Sequence, residues 1–396
     1  RVPEMLAYEH PQSRTPLDAA PITWSFRTTM KFQATCRARS SRGPEPIAEV
    51  PTTSGRAADR ARLRRYVVTT LALAVVSYCW TLAQTTTPRP SFDEFLDGIR
   101  REASSAGISK TTLDRALGGL EPAPVVVSRD RAQPELVQSL DAYVAKRLTP
   151  GVITTARAKL RLHRAVLNRI EETCGVPATV ITAVWGLESS FGRFTGTYPT
   201  VQSLATLAYD GRRPLFRTEL INALAILDRG DVPDGRLKGS WAGAMGQPQF
   251  MPSSFLRYAV DFDRDGRPDI WQSPADVFAS MANYLKGAGW TWTTRWGREV
   301  AITRAVMTRI DRSIPMRRDG CRAERETTEA RPLSDWNALG VTLPGGSALP
   351  EADLNASLVR GTGRHFLVYA NYAALLDYNC SNAYAVTAGL LGDKLQ

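Results

Sequence analysis

Hydrophobic and polar positions divide the 396-residue chain into stretches of different texture. Residues 1–60 are rich in Pro, Arg, Ser and Thr and follow neither a helical nor a strand period, so they read as an upstream extension or unprocessed leader. Arg60, Arg62, Arg64 and Arg65 then precede the apolar run Tyr66–Trp80 and Thr81-Leu82-Ala83, which gives residues 61–84 the basic, apolar and small-residue zones of a secretory signal. Export follows, with cleavage near Ala83. A permanent N-terminal anchor is the alternative, although the apolar core is short for a membrane span. Cys79 follows Tyr78 and not a small residue, which argues against a lipoprotein cleavage site.

From Ser91 onward the spacing turns helical. Ser91–Ala106 and Ser109–Leu117 read as short amphipathic helices, with Phe92, Phe95, Leu96 and Ile99 on one face. Thr155–Glu172 predicts a longer helix with a basic outer face, and Gly175-Val176-Pro177 separates it from a further helix beginning near Ala178. Thr218–Asp228 and Asp276–Ala288 add two more. Between about Trp296 and Arg364 the pattern breaks into short apolar runs such as Val300–Thr303 and Val341–Leu343, split by Gly, Pro and charge clusters, which predicts a small strand-containing subdomain. Phe366–Leu376 and Ser381–Leu391 return to helical spacing and pack back onto the main body. The fold class is mostly α, of the α+β type, with a core over 91–295, the strand-containing subdomain over 296–364 and C-terminal helices over 365–396.

A hydrophobic content of 43% with 22% charged residues describes a globular protein, not a disordered one. The net charge of +11 is densest in the Arg-rich N-terminal region, so it gives no support to nucleic-acid binding and suits an acidic polymer or envelope surface equally well. Cys36, Cys79, Cys174, Cys321 and Cys380 form no C-x-x-C pair and no zinc spacing. Cleavage near Ala83 leaves Cys174, Cys321 and Cys380, so one disulfide at most can form and its pairing stays open. His10, His163 and His365 include no helical i, i+4 pair, which leaves few candidates for a histidine metal site or a Ser-His-Asp triad.

Three constellations carry chemistry. Glu188 closes the nearly uncharged run Ala178–Gly192, and on a helix it shares a stripe with Ile181 and Val184. A carboxyl removed from water there keeps its proton at higher pH, as a general acid requires. The competing reading is a helix-end cap or salt bridge. The segment Gly239–Pro252 combines glycines, amides and aromatics in a stretch too broken for one regular element. It permits close backbone approach to a ligand, with Ser240, Gln247 and Gln249 as donors and Trp241 as a stacking face, or else it is a tight structural loop. Asp261, Asp263 and Asp265, followed by Gly266, match the first half of a calcium loop, with Arg267 contributing its backbone carbonyl and Asp269 following. Pro268 and Gln272 depart from the EF-hand pattern at its eighth and twelfth positions. The bidentate ligand must therefore come from elsewhere, Asp276 being the first candidate and Asp269 the second; a solvated acidic turn is the alternative.

Taken together, Glu188-Ser189-Ser190-Phe191-Gly192, the Gly239–Pro252 stretch, Asp261–Gly266 and Ala282-Asn283-Tyr284-Leu285 resemble, in order and spacing, the lytic murein transglycosylase B family, glycoside hydrolase family 103, over about residues 91–396. The resemblance implies a lysozyme-like helical domain with a small β subdomain, an EF-hand-like loop over 261–276 holding structural calcium, and no organic cofactor. It implies Glu188 as catalytic acid and base, with Ser240 and Gln249 in the groove and Tyr378, Asn379 and Tyr384 as an aromatic and amide cluster. The implied reaction is non-hydrolytic cleavage of peptidoglycan in the periplasm. Glycan strands are the implied partner, alongside other cell-wall enzymes, with no nucleic acid and membrane contact only through an uncleaved N-terminal segment. A hydrolytic muramidase and an inactive peptidoglycan-binding scaffold remain as alternatives.

Overall fold

The computed structural model describes residues 89–131, 138–233 and 235–396; the leader over 1–60, the signal segment over 61–84 and His10 lie outside the described residues. Helix Phe92–Ser105 starts where the Ser91 hydroxyl accepts the Glu94 N–H and the Glu94 carboxylate accepts the Ser91 N–H, a reciprocal cap. Ser109 caps Lys110–Leu117 in the simpler way. These two helices bury Leu96, Ile99, Leu113 and Leu117 against Thr200–Asp210 and Leu215–Arg229, around a first core that includes Leu204, Leu220 and Phe250. A second core joins Arg164–Cys174, Ala178–Ser189, Pro274–Gly287, Ala370–Tyr378 and Asn382–Asp393. Tyr378 packs on both cores, so its ring marks the seam between them.

Strand β1 (Tyr198–Pro199) pairs antiparallel with β2 (Lys238–Gly239). A second, antiparallel sheet runs β3 (Gly297–Val300), β6 (His365–Val368), β5 (Asn355–Arg360), β4 (Arg331–Pro332), with Val368 opposite both Gly297 and Ser357. Helices Arg304–Ser313 and Leu333–Leu339 cover one face of it around Trp336, Leu358 and Leu367. Its other face belongs to the second helical core through Val359, Phe366 and Val368.

That double burial corrects the reading of Phe366–Leu376 as one helix. Phe366 and Val368 point into the helical core while Leu367 and Tyr369 point into the subdomain core, so the strand shows a continuous apolar run with no visible alternation. The helix begins only at Ala370, and the sheet extends past residue 364 to Val368. The long helix expected over Thr155–Glu172 is two helices, Pro150–Leu162 and Arg164–Cys174. They break at His163, whose ring stands edge-on to Trp185 at 5.6 Å and to Phe278 at 5.3 Å. Val341–Leu343 forms only single bridges, from Thr342 to Ala301 and to Ala348. Cys321 and Cys380 form a disulfide and Cys174 is free, which settles the pairing left open above. Among the described residues no helix is long and apolar enough to cross a membrane.

Candidate active site

The helix Ala178–Ser189 carries no charge before Glu188 and is buried on nearly every side, not along one stripe, as a helix inside a core must be. It ends abruptly: Ser190, Phe191 and Gly192 all take the left-handed conformation, with φ of 51°, 60° and 82°. Such backbone costs a non-glycine residue on the order of 1–2 kcal/mol and persists only where packing enforces it. Here the enforcement is the Phe191 ring, which folds back T-shaped onto Trp185 at 5.5 Å. Residue 186 must be glycine for this, because a Cβ there would come within 2.7 Å of the Phe191 ring.

The turn leaves Glu188 at the mouth of the helical core. Part of the residue keeps contact with solvent, while its Oε1 is sealed off and has no hydrogen-bond partner. Burial pushes the Glu188 pKa up to about 7; the Tyr384 hydroxyl and then the Arg147 guanidinium pull it down only partly. The Tyr384 hydroxyl also completes no full hydrogen bond within the protein, so it lies alongside the carboxyl with its donor still available. Burial first, and the charge of Glu188 next, raise the hydroxyls of Tyr378 and Tyr384 well above the usual tyrosine range, which keeps both protonated.

Aromatic rings continue from there along the seam. Tyr378 donates to the Pro248 carbonyl at 2.8 Å and lies 4.6 Å from the ring of Tyr284, which lies 4.6 Å from Tyr258 and 5.5 Å from Phe250. The glycine-rich loop meets this row at Pro248. Ser240 accepts the Ala244 N–H on Oγ at 3.1 Å, which leaves its O–H free to donate. Gln249 has φ of 54° and donates through Nε2 to the Gly246 carbonyl at 2.8 Å. Trp241 is half-buried on the first core, and Asn379 is exposed at the end of Ala370–Tyr378. Gln247 departs from the expected role of ligand donor. Its Oε1 accepts the Trp185 indole N–H at 2.7 Å and its Nε2 donates to the Trp271 carbonyl at 2.8 Å, so its amide ties the loop to the acid helix.

The acidic loop brings carboxylate oxygens of Asp261, Asp263 and Asp276 within 4.8 Å of one another. Asp276 is fully buried; its Oδ1 accepts the N–H groups of Phe262 at 2.7 Å and Asp263 at 3.3 Å, and its Oδ2 that of Asp269 at 2.8 Å. Burial raises its pKa against those three hydrogen bonds. Asp265 and Asp269 stand outside the cluster. Asp265 Oδ1 accepts the Arg267 N–H, and Asp269 Oδ1 accepts those of Trp271 and Gln272. Three hard, anionic oxygen donors at this spacing fit a calcium ion, whose preferred ligands are carboxylates.

Residues 91–393 match the family described as the transglycosylase SLT domain. The chain belongs to that family. It is 32% identical over 263 residues to the membrane-bound lytic murein transglycosylase B of Escherichia coli (strain K12), a match that spans 64% of this chain and 66% of that relative, just under two thirds of its length. Among solved structures, SltB3 from Pseudomonas aeruginosa in complex with NAG-anhNAM-pentapeptide aligns with a TM-score of 0.70 and 40% identity over 77% of this chain and 79% of its own. The Escherichia coli lytic transglycosylase Slt35 in complex with calcium aligns with a TM-score of 0.61 and 28% identity over 78% and 94%. In this SLT domain three further side chains surround the acid and the two tyrosines beside it. Tyr284 extends the aromatic wall, while Tyr143 and Arg147 sit one turn apart on helix Leu140–Arg147 with guanidinium and ring 5.6 Å apart. Only their i, i+4 spacing in the sequence hints at the Tyr143–Arg147 pair, and nothing local connects it to Glu188.

Proposed function

We propose that this SLT-domain protein is a lytic transglycosylase that cleaves the β-1,4 bond between N-acetylmuramic acid and N-acetylglucosamine in peptidoglycan, leaving 1,6-anhydromuramyl ends. The observation that carries the reading is Glu188: a carboxyl with one sealed, unpartnered oxygen and a pKa of about 7 beside the Tyr384 and Tyr378 hydroxyls. Such a group still holds its proton near neutrality.

Glu188 protonates the glycosidic oxygen, and the bond to the muramyl anomeric carbon breaks as positive charge grows there. A glycosidase that retains configuration through a protein nucleophile needs a second carboxylate about 5 Å away. Among the described residues no other carboxylate contributes to the electrostatics of Glu188. The substrate's own N-acetyl oxygen is then the stabiliser. The ionised Glu188 next takes the proton of the muramyl 6-hydroxyl, whose oxygen attacks the anomeric carbon and closes the anhydro ring, which returns Glu188 to its acid form. Tyr384 donates to the carboxylate in that interval. Ser240, Gln249, Tyr378 and Asn379 orient the sugars, and Trp241 offers a stacking face.

In the acidic loop, Asp261, Asp263 and Asp276 would hold a calcium ion that screens their mutual repulsion. Slt35 with calcium supports that assignment. The Cys321–Cys380 disulfide and the signal-like segment over 61–84 support export to the periplasm, because disulfides persist in oxidising compartments. The core over 91–295, the sheet-containing subdomain from 296 and the returning C-terminal helices would then act as one catalytic body.

The test is mass spectrometry of fragments released from purified peptidoglycan by the protein and by Glu188→Gln. Anhydromuramyl ends made only by the unmodified protein are expected. Reducing muramyl ends would mean a hydrolytic muramidase, and binding without release would mean a scaffold.

A further inference from the structure

Helix Leu140–Arg147 answers to the acid on one flank and to the strand-containing subdomain on the other. It is little more than two turns long, begins at the Ser139 cap and buries Leu140 and Val144, with Leu148 partly buried after it. At about 100° per residue these three make one apolar stripe, with Asp141 on one side of it and Tyr143 and Arg147 on the other. So short a helix has little stability of its own, and its roll about that stripe is set by what its flanks hold.

The Asp141 flank is tied to the subdomain across 221 residues of chain. Asp141 Oδ2 accepts the Thr362 hydroxyl and the Gly363 N–H, both at 2.6 Å, from the turn that joins β5 to β6. The turn comes so close that a Cβ on Gly361 would lie 2.7 Å from Asp141 Oδ1. It is closed by the Gly361 N–H donating to the Arg364 carbonyl at 2.8 Å, and the Arg364 guanidinium grips both oxygens of Glu299 on β3 at 2.8 and 2.6 Å. Burial works to raise the Asp141 pKa, but the Thr362 hydroxyl and the backbone N–H groups of the turn outweigh it and hold the carboxyl below its ordinary range. On the opposite flank the Arg147 guanidinium lies 5.6 Å from the Tyr143 ring and is the positive charge that acts on Glu188, while Tyr143 acts on the Tyr384 hydroxyl. Arg147 is exposed, so its helix and the Tyr143 ring guide it towards the carboxyl.

We propose that Asp141 is a positioning residue for the active site: by bonding the Gly361–Arg364 turn it fixes the roll of helix Leu140–Arg147, so that the subdomain sheet sets where Arg147 stands beside Glu188. The proposal rests on the reading of Glu188 as acid and base. Arg147 matters most in the interval when Glu188 is ionised, because a nearby cation favours the carboxylate that has just given up its proton.

The experiment is a carbon-13 NMR titration of the Glu188 carboxyl in the protein and its variants, the resonance being assigned by its loss in Glu188→Gln. Arg147→Gln removes the cation and should raise the midpoint by about half a pH unit, about threefold in the proton equilibrium. Asp141→Ala should raise it by a similar amount, although loss of a negative charge would by itself lower it. The double variant should shift no further than either single one, since Asp141 acts through Arg147. Asp141→Asn keeps an oxygen for both bonds and should leave the midpoint where the unmodified protein has it. Thr362→Ala, an exposed change on the other side of the contact, should shift the midpoint the same way by less, and it decides the matter if Asp141→Ala does not fold. A midpoint that stays put in Asp141→Ala and Thr362→Ala overturns the positioning role, as does a full Asp141→Ala shift in protein already lacking Arg147; both leave the enzyme reading intact. An unmodified midpoint near 4.5 contradicts the acid reading itself and removes this role with it.

Discussion

Glu188 and Asp276 are both carboxylates taken out of water, and burial raises the pKa of each. Their surroundings then diverge. Asp276 accepts three backbone N–H groups across its two oxygens, which knits Phe262, Asp263 and Asp269 into one loop. Glu188 Oε1 accepts nothing, and the neighbouring tyrosine hydroxyl is likewise uncommitted. The difference shows what separates an anchor from an acid on a common side-chain chemistry. Lone pairs already filled by donors hold a carboxylate to its place in the fold, whereas a carboxyl with an unfilled oxygen, on a residue that still touches solvent, is available to carry a proton.

The comparison breaks first at Glu188. Replacing it with Gln should lower anhydromuramyl release by about 10³-fold while leaving strand binding in place. The same change should raise stability at alkaline pH. The folded pKa of about 7 lies above the ordinary value of 4.5, so the stability linked to this group is present below about pH 4.5 and is lost as pH climbs through 7. Denaturant titrations should show Glu188→Gln gaining up to about 3 kcal/mol at pH 9 and nothing at pH 4. Asp276→Ala should act in the opposite direction. By stripping three N–H groups of their acceptor it should cost about 3 kcal/mol at neutral pH, and Asp276→Asn less.

Calcium sharpens the contrast. At a hundredfold excess over its dissociation constant it should stabilise the protein by about 2.7 kcal/mol, read as a rise in thermal midpoint that a chelator reverses. The shift should vanish in Asp261→Asn, Asp263→Asn, whereas Glu188→Gln should keep it in full. Gln247 bridges the two regions through Trp185 on the acid helix and Trp271 beside the acidic loop. Gln247→Ala should cost about 1–2 kcal/mol by leaving the buried indole N–H unpaired. It should also uncouple activity from calcium, so that chelation lowers the rate of the unmodified protein but no longer that of the variant.

The acid helix was legible in the sequence because a lone carboxylate in an uncharged run is a local signal, and the two helices from Ser91 and Ser109 were legible through their apolar spacing. What escaped depended on contacts across the fold. His163 interrupts a helix to place its ring against Trp185 and Phe278, residues far along the chain. His365–Val368 lost its alternation because each of its faces meets a different core. Gln247 carries the same side chain as Gln249 two residues away, yet only three-dimensional packing sends its amide inward to two tryptophans. The pairing of Cys321 with Cys380 likewise required the subdomain to meet the C-terminal helices.

The most direct measurement is a carbon-13 NMR titration of the Glu188 side-chain carboxyl in the unmodified protein, assigned by its disappearance in Glu188→Gln. The account predicts a midpoint near 7. A midpoint near 4.5 would mean that Glu188 is fully ionised at neutral pH and would contradict its role as the proton donor.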